Sequence, residues 1–186
     1  MSSVTSFASL CDPSQFGYPS LFGAKFSSLQ AKLVTNFALD VSLGPGQPNL
    51  TYSEENTNFC NVTVTYTNPG YEDAVSVETW LPVDNYNGRL QAISGSGWIS
   101  GRHPVTYWKM ASVAVIAKDL IKQLYGKPPA YSYFNGCSQG GRQGYALAQQ
   151  YPDAYDGIMA AAPAMNWSPF VMSTIWPAFY MNNTGQ

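Results

Sequence analysis

One stretch of this sequence restricts its fold more than any other. Residues 131–151 read YSYFNGCSQGGRQGYALAQQY, a β-like segment that passes through glycines into a segment with helical periodicity. Where a strand bends directly into a helix the two backbones nearly touch, so only small residues fit two positions before and after the bend. Gly136 and Gly140 meet that requirement, and Gly141 allows a still closer approach. The pattern predicts a strained backbone at Ser138, with its Oγ exposed above the strand.

The five residues Gly136-Cys137-Ser138-Gln139-Gly140 match the G-x-S-x-G pattern of a nucleophile elbow. The amino terminus of the following helix carries a partial positive charge, and the Gln139 N–H can donate to an oxyanion. The alternative is a glycine-rich turn in which Ser138 is an ordinary helix N-cap.

A second glycine-rich loop, Ser94-Gly95-Ser96-Gly97-Trp98, follows a short strand predicted over 89–93. In hydrolases with a nucleophile elbow, a loop after an earlier strand supplies the second oxyanion N–H. Gly97 is therefore a candidate oxyanion donor, and a plain flexible turn is the alternative.

The order of predicted elements indicates an α/β chain that forms one domain over residues 1–186. A loop-like start over 1–30 precedes β-rich segments, which we predict at 31–41, 61–67, 74–83 and 89–93. In the segment 31–41, Leu33, Phe37, Leu39 and Val41 share one parity, which indicates a strand. The second half predicts a parallel βαβαβ arrangement through a helix at 108–125, a strand at 131–134, a helix at 140–151 and a strand at 157–162. Residues 167–180 are apolar and aromatic without an assigned partner.

Composition excludes several classes of function. Charged residues are 11% of the chain and the formal net charge is −2, which leaves no electrostatic footprint for nucleic acid or an anionic membrane. No run of about 18 apolar residues exists, so the sequence predicts no membrane span.

Three cysteines are present, at positions 11, 60 and 137. No C-x-x-C pair and no neighbouring histidine accompanies them, so we predict no metal site. If the chain is secreted, Cys11 and Cys60 form the natural disulfide and Cys137 lacks a partner in this chain; otherwise all three are free thiols.

Secretion is itself an expectation from the sequence. Residues 1–10 lack the basic start and apolar core of a signal peptide, so we expect no signal within this chain. Acceptor sequons for N-glycosylation nevertheless begin at Asn49, Asn61, Asn166 and Asn182. We therefore expect an extracellular glycoprotein.

The stretch SYFNGCSQGGRQGYALAQQYPDAYDGIMAAAPAMNW resembles the nucleophile region of the tannase/feruloyl esterase family of secreted fungal esterases. LYGKPPAYSY and CDPSQFGYPSLFGAKF are also similar to fungal members. The resemblance implies an α/β-hydrolase that cleaves feruloyl- or galloyl-type aromatic esters, from small molecules or plant cell walls. By position it makes Ser138 the nucleophile and assigns the oxyanion hole to Gln139 and the loop around Gly97. It also matches Cys137 to a cysteine that, in family members, forms a disulfide with a second cysteine beside the catalytic histidine.

The sequence departs from that family in several respects. The triad acid and histidine should follow Ser138, yet the one histidine is His103, and we interpret Asp153 and Asp156 as solvated charges at the end of the helix and before the next strand. The segment between Gly101 and Ala130 has room for one helix, so a strand is expected to be missing there. The family's lid, with its calcium, would lie beyond Gln186, and we expect no cofactor in this chain. We therefore expect a partial, truncated α/β-hydrolase fold with impaired catalysis.

The aromatic content of 15% supports one alternative function. A non-catalytic secreted module could bind phenolic or polysaccharide ligands through exposed aromatic rings. Its candidate residues are Trp98, Trp108, Trp167 and Trp176.

Overall fold

The computed structural model describes residues 7–41, 52–93 and 114–185. Its strands are β1 Lys25–Val41, β2 Tyr52–Thr67, β3 Val75–Pro82, β4 Arg89–Ile93, β5 Tyr131–Cys137 and β6 Gly157–Ala161. Its α-helices are α1 Ala114–Tyr125, α2 Gln139–Gln150 and α3 Trp167–Thr184. Short 3₁₀ turns occupy Phe7–Leu10, Pro13–Gln15 and Pro152–Ala154.

The first sheet is antiparallel, with strand order β1-β2-β3. The β-branched alternation of β2 and β3 predicts one buried face, and the structure confirms it: Val62, Val64 and Val77 are fully buried. The predicted bounds were too short for β2, which begins at Tyr52, and nearly right for β3.

The strand predicted over 31–41 is present as part of β1, but the structure differs from the prediction in two details. The strand begins at Lys25, within the segment predicted as loop, because a register shift between Phe26 and Ser28 interrupts the alternation that would have revealed it. A second irregularity lies between Val34 and Phe37, so Leu33 and Phe37 do not share a continuous buried face; Leu33 is exposed.

The second sheet is parallel, with strand order β4-β5-β6, and confirms the predicted βαβαβ arrangement. The bounds of β4 were predicted correctly, and β5 runs three residues beyond the predicted 131–134, to Cys137. The predicted beginning of the first helix, at 108, lies outside the described residues. The expectation that a strand is missing between Gly101 and Ala130 falls partly there too, and it stays a prediction.

Helix α1 joins the two sheets through a shared core. Ile116 and Leu120 are fully buried in one apolar cluster with Val77 of the first sheet and Leu90 of the second. Ala117, Leu120, Ile121 and Leu124 of this helix are buried, whereas Val115 is exposed. The structure also contains the Cys11–Cys60 disulfide, which attaches the amino-terminal segment to β2.

Helix α3 contrasts with the rest of the fold. It spans 18 residues of largely apolar sequence, yet none of its residues is buried. Within the described ranges, no helix combines the length and the hydropathy that crossing a bilayer requires.

Candidate active site

Ser138 is the single residue between the end of β5 and the start of α2. Its backbone has φ 60° and ψ −115°, which an L-residue adopts only under strain. The predicted sharp bend is therefore present. A strand that ends at Cys137 and a helix that begins at Gln139 leave no loop in which the strain could relax.

Backbone hydrogen bonds hold this bend against the segment that follows β6. The Ser138 N–H donates to the carbonyl oxygen of Ala161 at 3.1 Å, and the Ala164 N–H donates to the Ser138 carbonyl at 3.0 Å. The Arg142 N–H also donates to that carbonyl, at 3.1 Å, in the first turn of α2. Two different segments thus fix the strained residue. The small residues at 160–164 were the only sequence signal for the contribution of this later segment.

Glycines are required around the bend because neighbouring backbone atoms leave no room for a Cβ, and not because of the backbone conformation of the glycines themselves. A Cβ on Gly136 would lie 2.9 Å from the Gly140 Cα and closer still to the Gly140 carbonyl. A Cβ on Gly141 would lie 2.9 Å from the Pro163 Cα and would collide with the Ala161 carbonyl oxygen. These contacts confirm the steric reason for the G-x-S-x-G-G spacing.

The Ser138 side chain does not cap the helix. Ser138 does occupy the N-cap position, but its half-buried side chain makes no capping hydrogen bond, which an ordinary serine N-cap would make. A hydroxyl that is not used to cap the helix remains available for chemistry.

Gln139 is the first residue of α2, so its N–H has no acceptor within the helix. The helix dipole adds partial positive charge at the same point. Both features suit an oxyanion formed at Ser138. Gly97, the other predicted donor, lies outside the described residues, as does His103.

The acidic residues after Ser138 do not approach it. One carboxylate oxygen of Asp156 accepts hydrogen bonds from the Ser132 N–H at 2.7 Å and the Ser132 Oγ at 2.8 Å. These two bonds hold the pKa of Asp156 below its usual value. Ser132 lies six residues before Ser138 on an extended strand, about 20 Å away. Asp156 therefore anchors the opposite end of β5, and the exposed Asp153 lies in a 3₁₀ turn.

Cys137 precedes Ser138 and is an exposed free thiol. In the part of the chain that the structure describes, no cluster of three or more potential metal ligands occurs.

Arg142 lies in the first turn of α2, and the sequence analysis did not single it out. Its guanidinium carbon lies 4.7 Å from the centre of the Trp167 ring, which holds this cation on the first turn of α2. The available sequence signal was its position four residues after Ser138, because residues four apart share one helix face.

The predicted glycosylation sites differ in their surroundings. Asn166 and Asn182 are exposed. Asn61 lies within β2, where its Nδ2 donates to Glu78 at 2.7 Å, so its amide is occupied in the folded chain. Asn49 lies outside the described residues, and all four sites stay predictions.

Comparison with known proteins gives one family match. Residues 102–184 match the family model described as "Tannase and feruloyl esterase". A probable feruloyl esterase of Arthroderma benhamiae is 34% identical over 185 residues, covering 75% of this chain and 34% of that protein. Feruloyl esterase B of Aspergillus niger is 45% identical over 71 residues, covering 38% of this chain and 13% of that protein.

Two solved structures share the fold. A tannin acyl hydrolase from Aspergillus niger has a TM-score of 0.59 at 24% identity and covers 87% of this chain and 36% of its own. Feruloyl esterase B from Aspergillus oryzae has a TM-score of 0.62 at 22% identity and covers 87% of this chain and 38% of its own. The predicted α/β-hydrolase-type fold is confirmed. This chain spans about a third of the length of the Arthroderma relative and of both structures.

Proposed function

Because this chain is a relative of the tannase and feruloyl esterase family over residues 102–184, we propose that it is a carboxylic ester hydrolase with Ser138 as nucleophile. The observation that carries the proposal is the strained backbone of Ser138, held between β5 and α2 with a hydroxyl that caps nothing. Strain at such a position persists only where the surrounding structure enforces it, and nucleophile elbows use it to expose the hydroxyl.

The proposed reaction is acyl transfer through a serine ester. The Ser138 Oγ attacks the ester carbonyl carbon while its proton passes to a base, and the negative charge that develops on the carbonyl oxygen is stabilised by the Gln139 N–H. Collapse of the tetrahedral intermediate expels the alcohol, which takes up the proton. Water then attacks the acyl-enzyme, releasing the acid and restoring the Ser138 hydroxyl.

The general base that accepts the proton of Ser138 limits the rate of acylation that we expect from this chain. The sequence contains one histidine, His103, and none after Ser138. In a serine hydrolase, loss of the base costs about 10⁶ in rate and leaves about 10³ to 10⁴ over water from the oxyanion site and binding. We therefore propose slow acylation by this chain, with His103 as the candidate base.

The substrates we propose are esters of aromatic acids of the feruloyl or galloyl type, as the names of the matched relatives indicate. We also propose an extracellular location. The Cys11–Cys60 disulfide supports it, because such bonds persist in oxidising compartments.

Covalent labelling with a fluorophosphonate tests the nucleophile. We expect one adduct per chain, mapped by mass spectrometry to Ser138, and none on Ser138→Ala. Because Cys137 is exposed and adjacent, Cys137→Ser is the matched control and should label like the wild type. Absence of an adduct on the folded wild-type chain, or an adduct that survives Ser138→Ala, would contradict the proposal.

A second variant tests the base. Under the proposal, His103→Ala reduces the labelling rate of Ser138 by at least tenfold near neutral pH and removes its dependence on pH between 5 and 8. An unchanged rate and pH profile would eliminate His103 as the base while leaving Ser138 as nucleophile.

A binding module for phenolic ligands is the second candidate. Trp176 and Phe179 are exposed on α3, and a cleft of about 350 Å³ runs along β5 and β6 beside Tyr133 and Met159. Saturable binding of ethyl ferulate without any adduct at Ser138 would favour the binding module. Trp98 and Trp108 lie outside the described residues.

A further inference from the structure

The segment that joins β6 to α3, residues 162–166, carries backbone strain of its own. Ala162 has φ 37° and Asn166 has φ 51°, a left-handed region that residues with a side chain rarely adopt. Asn166 is also the N-cap residue of α3, and its side chain makes no capping hydrogen bond. Strained residues persist only where their surroundings enforce the conformation, so contacts with the rest of the fold must hold this segment in place.

The first of these contacts is with Ser138. The Ser138 N–H donates to the Ala161 carbonyl oxygen at 3.1 Å, directly before the segment, and the Ala164 N–H donates to the Ser138 carbonyl oxygen at 3.0 Å. Ala164 itself is buried, with 6% of its surface exposed. The strained residue at the bend and the strained segment therefore hold each other, and a displacement of Ala164 would free the Ser138 carbonyl.

The second contact is at Trp167, the first residue of α3. Met165 and Asn166 are exposed, whereas Trp167 is half-buried, with its ring centre 4.7 Å from the guanidinium carbon of Arg142. A planar guanidinium can stack on an indole ring, which the ammonium group of lysine cannot do. Because α3 has no buried residue, no packed core fixes the start of this helix. The contact with Arg142 therefore attaches the start of α3 to α2.

Arg142 connects the two contacts, because its backbone and its side chain act on opposite ends of the segment. Its N–H donates to the Ser138 carbonyl oxygen at 3.1 Å, while its guanidinium lies against Trp167. The Ser138 carbonyl thus accepts one hydrogen bond from α2 and one from Ala164. The contacts among these four residues form a closed set, so losing the side-chain contact weakens the hold of Ala164 on Ser138.

We propose that Arg142 and Trp167 are positioning residues for Ser138. Their contact keeps residues 162–166 where the Ala164 N–H can donate to the Ser138 carbonyl, and this preserves the strained conformation that exposes the Ser138 hydroxyl. The inference rests on the proposed function of Ser138 as the nucleophile. Neither side chain touches the reacting atoms in this role. Since the rate of attack depends on the alignment of the attacking oxygen, the pair governs the maximal rate of acylation and leaves the affinity for the ester unchanged.

Amide hydrogen exchange on the full chain tests the contact without any reaction at Ser138. Arg142→Met keeps the apolar stem of the side chain and removes the guanidinium. We expect the Ser138 and Ala164 N–H groups to exchange faster by about fivefold or more, and the N–H of Phe134, in the middle of β5, to exchange at the wild-type rate. Arg89→Met is the matched control, because Arg89 is an exposed arginine at the start of β4, and it should leave all three rates unchanged.

Fluorophosphonate labelling at a series of probe concentrations separates the maximal labelling rate from the affinity for the probe. On protein shown to be folded by urea titration, Arg142→Met and Trp167→Leu should each lower the maximal rate by about fivefold or more and leave the affinity unchanged. The double variant should be no slower than the slower single variant, because one contact is lost in all three. Trp167→Phe keeps an aromatic face and should retain most of the rate. Tyr180→Leu, which removes an exposed aromatic ring elsewhere on α3, should label like the wild type.

Three results would overturn the positioning role. The first is unchanged exchange of the Ser138 and Ala164 N–H groups in Arg142→Met. The second is additive loss of the maximal labelling rate in the double variant, which would mean that Arg142 and Trp167 act separately. The third is weaker affinity for the probe at an unchanged maximal rate, which would mean that these side chains contact the probe itself. If the wild type does not label at all, the proposed function fails, and the exchange rates still decide whether the contact holds the bend.

Discussion

The Ser138 N–H donates to the carbonyl oxygen of Ala161 at 3.1 Å, and this bond ties the strained residue after β5 to the end of β6. A carbonyl oxygen of the neighbouring strand thus accepts a hydrogen bond from an N–H group that the bend would otherwise leave unpaired. Gly141 packs against the same region. Because it has no side chain, α2 can approach Ala161 and Pro163 closely. The conformation of Ser138 therefore depends on packing after β6 as much as on its own loop.

Gly141→Ala tests that dependence. The added Cβ would collide with backbone atoms at Ala161 and Pro163, which cannot rotate away as a side chain could, so α2 must shift. We expect a loss of about 1–3 kcal/mol in the free energy of unfolding, measured by urea titration. Fluorophosphonate labelling of Ser138 should slow by more than the loss of folded protein explains.

Gly17→Ala is the matched control, because Gly17 has no atom within 4 Å of its hypothetical Cβ and does not adopt a positive φ. It should leave stability unchanged within about 0.5 kcal/mol. A Gly141→Ala variant that is as stable and as reactive as the Gly17→Ala variant would show that the close packing of α2 is not required.

Asp156 should make the stability of the chain dependent on pH in the acid range. Its folded pKa is lowered by the two hydrogen bonds from Ser132, so it contributes stability that is fully present above the unfolded pKa of about 3.9. That contribution is lost as pH falls through the folded pKa. Asp156→Asn should therefore lower the urea midpoint at pH 7, and the difference from wild type should shrink below pH 4.

Asp153→Asn is the control for that series, since Asp153 is an exposed acid three residues earlier. It should leave the midpoint close to that of the wild type at pH 7. A difference between wild type and Asp156→Asn that stays constant from pH 7 to pH 2 would refute the link to Ser132.

The Cys11–Cys60 disulfide should account for a large part of the stability. It joins residues 49 apart, and closing a loop of that size stabilises by about 4 kcal/mol in the chain-entropy model. Reduction should therefore lower the urea midpoint strongly. The shift on reduction should persist in Cys137→Ser and vanish in the double variant Cys11→Ser, Cys60→Ser. If Cys137→Ser abolished the shift, the stabilising bond would have to involve Cys137.

The bend at Ser138 could be predicted from sequence because its constraint is local. Small residues at 136, 140 and 141 exclude most other conformations, and β5 and α2 each carry their own periodicity. The bond from Ser138 to Ala161 could not be predicted, because it depends on how β6 pairs with β5.

The division into two sheets was likewise not predictable. The periodicity of β3 and β4 predicts which residues face the core, and Val77 and Leu90 are indeed buried in one cluster. Periodicity does not say which strand edges pair, because every strand has two edges with the same backbone groups. The strand orders β1-β2-β3 and β4-β5-β6, as they stand among the described residues, are therefore a result of the structure alone.

The last prediction compares two isoleucines, which have the same type of side chain and differ in burial. Ile121 of α1 is 2% exposed, whereas Ile175 of α3 is 51% exposed. Ile121→Ala removes buried methyl groups and leaves a cavity, so we expect it to cost about 2–5 kcal/mol in the free energy of unfolding. Ile175→Ala should change that free energy by less than about 0.5 kcal/mol, since α3 has no buried residue. Parallel urea titrations of the two variants make the comparison. A cost above about 2 kcal/mol for Ile175→Ala would mean that α3 is packed in solution, and the titration repeated at several protein concentrations would then show whether a second copy of the chain covers it.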